Sequence, residues 1–168
     1  MDTPWLDLLF RWSHFAFALI WIGHNYANLV QNPRFRPFDP GHSEEVCNQA
    51  VEQRMQREHG TFRYASIVVW LSGMGMLWHR GWLEDALLLR GDLAVIGMGA
   101  WLGTLMLLNL WLIMWPHQKK VLGFVPAPLE ERIRCSRITF LASRSNTILS
   151  MPLLFFMAAG SHGLQLFH

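Results

Sequence analysis

The chain has 168 residues, 52% of them hydrophobic and 15% charged, with a formal charge of +2. That length makes one domain, the charged share falls well below the roughly 25% of soluble globular chains, and so weak a net charge gives no footprint for nucleic acid. Two cysteines, Cys47 and Cys135, stand far apart outside any CxxC or CxxCH pattern, which leaves no cysteine-built zinc site and no covalently attached haem.

Residues 5–30 form the first apolar run, WLDLLFRWSHFAFALIWIGHNYANLV. About 20 residues at ~1.5 Å rise cover the ~30 Å hydrocarbon layer of a bilayer, so the run is long enough to cross one. It also carries Arg11, His14, His24 and Asn25. A passive anchor has no use for such groups, and ionisable side chains within a span point to function by default. The acidic start, Met1-Asp2, and the interrupting Arg11 and His14 argue against a cleavable signal.

Three more runs lie at residues 62–79, 93–115 and 146–167. None alternates with period two, and each exceeds ordinary strand length, so each reads as a helix. Pro116 is expected to end the third, and Pro152 to kink the fourth. A second helical stretch near residues 129–144 would carry the fourth helix beyond a bilayer. The expectation is an all-α polytopic membrane protein, one four-transmembrane-helix bundle spanning residues 1–168.

Loop charge orients the spans. Arg34, Arg36, Arg54 and Arg57 lie in loop 31–61, and Lys119, Lys120, Arg132, Arg134 and Arg137 lie in the third loop. The positive-inside rule puts both loops in the cytoplasm of a bacterial inner membrane and both termini in the periplasm. Within loop 31–61, Ser43 followed by Glu44 and Glu45 suits a helix start, and a short amphipathic surface helix is one reading of residues 44–60. A solvated connector is the other. Gly99 and Gly103, with Gly73, Gly75 and Gly97, allow close helix approach. Trp5, Trp12, Trp111 and Trp115 suit interfacial belts.

The histidines sort by depth. His14, His79 and His162 fall towards the outer side, and His24, His59 and His117 towards the inner side. Ten residues, or ~15 Å of helix, separate His14 from His24, so they cannot share one ion. Imidazoles on facing helices are how bundles hold cofactors, and b-type haem takes axial histidines without a covalent motif. His14 and His162 are the candidate iron ligands, with Arg11 a candidate propionate partner; His24, His59 and His79 are further cofactor-binding candidates. The plainer reading is that these side chains tie helices together or rest at the interface. No His-x-x-His spacing supports copper or zinc, and no hydrolase motif occurs.

Several strings are familiar in order. Arg11-Trp12-Ser13-His14 with Trp21-Ile22-Gly23, Trp70-Leu71-Ser72-Gly73, Asn109-Leu110-Trp111 with Trp115-Pro116-His117-Gln118-Lys119-Lys120-Val121, and Ser145-Asn146-Thr147 through Pro152 to Ser161-His162 resemble the membrane domain of the bacterial cytochrome c-fused urate oxidases (PuuD type, urate oxidase N-terminal domain family). The resemblance is to a shortened, stand-alone form, since that family is longer and carries a cytochrome c. The opening His…Trp-Ile-Gly is also similar to haem-associated protoporphyrinogen oxidase and copper-resistance membrane families. Of the histidines, His14 and His162 match family histidines, whereas Arg144-Ser145 stands where the family has a histidine.

The resemblance implies an inner-membrane subunit of an electron-transfer or oxidoreductase complex, with haem b between helices one and four and urate oxidation as one version. Its partners would be the lipid bilayer and a larger membrane protein complex or a c-type cytochrome. The other reading is a cofactor-free accessory subunit of a multi-subunit membrane complex.

Overall fold

The computed structural model describes residues 4–36 and 49–161, with side chains for 4–36 and 60–160. Among these residues the regular structure is entirely helical: α1 (Pro4–Gln31), α2 (Gln49–His79), α3 (Leu83–Leu87), a 3-10 turn (Gly91–Leu93), α4 (Ala94–Leu108), a π-helical segment (Asn109–Met114), α5 (Trp115–Val121) and α6 (Leu129–Ser161). Among the described residues, two stretches, Pro4–Gln31 and Gly91–Val121, are long and apolar enough to cross a membrane. α1 packs most extensively on α2, and α4 on α6, so the bundle is two helical hairpins laid together.

Glycines set the helix contacts. A Cβ on Gly73 would come 3.0 Å from the His14 ring, and one on Gly75 3.0 Å from the Phe10 ring, so α1 approaches α2 through two glycine notches. Gly99 faces Met157 and Gly103 faces Leu153, which joins α4 to α6 as small-xxx-small spacing anticipates. Gly97 serves another contact. Its Cβ would lie 1.9 Å from the carbonyl oxygen of Ala86, so the short α3 is pressed onto α4 there.

The stop expected at Pro116 does not occur. α4 is continued beyond Pro116 to Val121, because the π segment ends at Met114 and leaves Pro116 near the start of α5. In that first turn a missing N–H costs no ladder bond. Pro152, the position of the expected kink, lies inside α6, with helix on both sides. The expected surface helix is instead the leading part of α2, continuous from Gln49 to His79. Gly60 within it weakens a helix but does not end one. The Ser43 start lies outside the described residues.

The interior is apolar at its centre, where Trp21, Phe62, Val69, Met106, Leu110 and Leu153 cluster. Around that centre, buried polar groups are bonded between helices. Asn146, with no exposed surface, donates to the Met106 carbonyl (3.2 Å) and accepts from Asn109 Nδ2 (2.7 Å), which also donates to the Ala142 carbonyl (2.8 Å). Ser150 donates to the Tyr26 hydroxyl at 3.1 Å, and Trp70 donates to Thr104 at 3.0 Å. Many other large apolar side chains lie outside: Trp5, Trp12, Phe15 and Leu19 on α1, and Ile148, Met151 and Phe155 on α6, are exposed. Bulky apolar side chains exposed over whole helix faces depart from the usual soluble pattern.

Candidate functional site

His14 sits halfway along α1, and its ring is half-buried against α2. Its Nδ1 lies 2.8 Å from the Val69 carbonyl, a contact that requires the ring nitrogen to donate. Ser72 Oγ approaches the same nitrogen at 3.4 Å, while its own proton goes to helix carbonyls of Val68 and Val69. With Nδ1 protonated, the neutral ring keeps its lone pair on Nε2. That is how protein carbonyls prepare an imidazole for a metal. The ring contacts are with α2, at Val69, Ser72 and Gly73, whereas the sequence reading paired His14 with the last helix. His162, the expected opposite ligand, lies outside the described residues, as does the His59 imidazole.

Arg11 is committed elsewhere. Its Nε donates to Asp7 Oδ2 at 2.7 Å, one helical turn back. Arg80, just beyond α2, grips the same carboxylate through Nε (2.9 Å) and Nη2 (2.8 and 3.0 Å). Asp7 therefore sits between two guanidinium groups and ties the start of α1 to the end of α2. This clamp joins the helices beside His79, the last residue of α2.

At the other end of the bundle, His24 lies flat on Phe62 (ring centroids 4.0 Å apart, planes 6° from parallel). Arg63 is buried, with its guanidinium 3.5 Å from the centre of the Trp115 ring and Tyr64 and Trp111 beside it. Trp111 and Trp115 thus hold a cation as well as serving as bulky apolar groups. His117 donates from Nδ1 to the Ile113 carbonyl at 2.6 Å, within its own helical stretch. The structure brings none of these groups to His14.

Between the C-terminal end of α1 and the sides of α2, α5 and α6 opens a pocket of about 190 Å³. Asn25, Asn28 and Asn32 come from α1 and the residue following it, Arg34 and Arg36 from the segment beyond, and Thr139 and Ser143 from α6. From its lining, Asn25, His24, Arg34 and Arg36 stood out in the sequence, whereas Asn28 and Asn32 did not. The signal was present as a polar stripe, because positions 25, 28 and 32 share one helical face. Asp7 and Arg80, 73 residues apart, carried no comparable local sign.

A family model described as urate oxidase N-terminal matches residues 82–168, just over half of the chain. The match covers α3 to α6 and includes His162; α1 with His14 precedes it. No curated protein matches, and no solved structure does.

Proposed function

The chain belongs to the urate oxidase N-terminal family, and from that premise we propose that it is a four-span subunit of a bacterial inner-membrane electron-transfer or oxidoreductase complex, holding b-type haem at His14. The observation that carries the reading is the bond from His14 Nδ1 to the Val69 carbonyl, which presents Nε2 as the iron-binding nitrogen. The donor chemistry at His14 fits the group. His162 is the proposed second ligand.

Haem, when bound, supplies one-electron transfer. The chain's own part is to orient and to insulate. The Val69 carbonyl fixes the tautomer and turns the ring, and Gly73 leaves α2 without a Cβ where the ring rests. Asp7 and Arg80 hold the adjoining helix ends in register. Arg11 meets a propionate in this reading only by sharing itself with Asp7. Lipid, a larger membrane complex and a c-type cytochrome are the proposed surroundings, with the basic loops cytoplasmic and both termini periplasmic.

The exposed apolar faces of α1 and α6 support a second reading, an accessory subunit that packs in a larger membrane assembly. Absorption spectroscopy of the purified chain separates the two. A Soret band that His14→Ala and His162→Ala each abolish supports haem at these residues. Haem-replete expression that yields helical protein without a Soret band leaves the accessory role.

A further inference from the structure

The pocket at the far end of the bundle has no part in the haem reading. Asn25 and His14 are eleven positions apart on one helix, or about 16 Å. Three properties of its wall select a ligand. The first is an orphaned donor: Asn25 is 2% exposed, and its Nδ2 has no hydrogen-bond partner. A buried amide left so costs on the order of 1–3 kcal/mol unless something accepts from it. The second is charge. Arg34 and Arg36 line the pocket, and among the described residues its lining contains no carboxylate. The third is the direction of the hydroxyl protons. Ser136 donates to the Ile133 carbonyl at 2.7 Å and Thr139 to the Ser136 carbonyl at 2.9 Å, so towards the pocket both oxygens present lone pairs.

We infer that this pocket binds a small oxyanion that keeps an O–H of its own, such as a hydrogen phosphate group, held by Asn25, Arg34 and Arg36 and donating back to Ser136 or Thr139. Asn28 is set for the same task. Its Oδ1 takes the Ser143 hydroxyl proton at 3.4 Å, which leaves the amide nitrogen of Asn28 as a donor at the wall. The face-to-face pair of His24 and Phe62 closes one side without adding charge of the wrong sign. Free phosphate and the headgroup of an anionic lipid share this chemistry.

The test uses the full chain purified in detergent and in phosphatidylcholine nanodiscs. One arm titrates inorganic phosphate, against chloride at equal ionic strength, and follows thermal unfolding. The other replaces part of the phosphatidylcholine with phosphatidic acid and measures retained lipid by mass spectrometry. Binding in either arm, weakened at least five-fold by Arg34→Gln or Arg36→Gln and abolished by Asn25→Leu, supports the site. The arm that responds identifies the source. Arg34 and Arg36 are exposed, so their substitution leaves the fold intact even if Asn25→Leu does not. No response in either arm, or binding equal in the arginine variants and the parent, overturns the inference.

Discussion

Gly97→Ala tests the tightest approach in the fold. The new Cβ would stand 1.9 Å from the Ala86 carbonyl oxygen and 2.8 Å from its carbon, where 3.4–4 Å is ordinary contact. The obstacle is backbone, so no rotamer change relieves it. α3 must shift by more than an ångström, or α4 must bend. Overpacking of this kind costs about 1–3 kcal/mol, and rigid surroundings push towards the upper figure. Gly→Ala also gains up to about 1 kcal/mol in helix propensity, so the fair reference is another helical glycine. Gly23 has nothing within 4 Å of its Cβ position, and at Gly103 the Leu153 side chain lies 3.4 Å away. The propensity gain is shared by the three variants, so the gap between Gly97→Ala and Gly23→Ala isolates the steric cost. At about 2–4 °C per kcal/mol for a chain of this size, the two should differ by roughly 2–12 °C in Tm. Far-UV circular dichroism in one detergent measures it, with the expected order Gly23→Ala above or equal to Gly103→Ala, and both above Gly97→Ala. A Gly97→Ala protein that melts with the other two would refute the close docking of α3 on α4.

Asn146→Ala removes two buried interhelical bonds, those with Asn109 and with the Met106 carbonyl; the expected loss is about 1–3 kcal/mol by denaturant titration, and a neutral result would deny the network any part in stability. Asp7→Asn keeps the shape of the clamp and discards its charge. Because the partners are part-exposed, about 1 kcal/mol is expected at low salt, and the difference should shrink in 1 M salt; a salt-independent difference would place its origin outside the ion pairs. Gly73→Ala would bring a Cβ within 3.0 Å of His14 Cε1. If haem is held there, its Soret maximum shifts in this variant and stays in place in Gly103→Ala; equal spectra argue that the iron ligand is elsewhere.

The amino-acid sequence alone determined that the chain is helical, because four apolar runs of helical length without period-two alternation leave no other regular structure. It also marked the interhelical use of Gly99 and Gly103, since small residues four apart lie on one face. The family resemblance, too, was legible in local strings. Helix ends were less so. Pro116 reads as a stop by its missing N–H, but the π segment before it places the ring in a first turn, where that loss is harmless. Only the tertiary structure decided partnership. It put His14 on the Val69 carbonyl, turned Arg11 and Arg80 onto one carboxylate, and slid Arg63 between tryptophans. It also opened a pocket where the end of α1 meets the sides of α2 and α6. Such contacts join residues 55 or 73 positions apart. They depend on the rotation of each helix about its axis, which periodicity constrains only to the width of an apolar stripe.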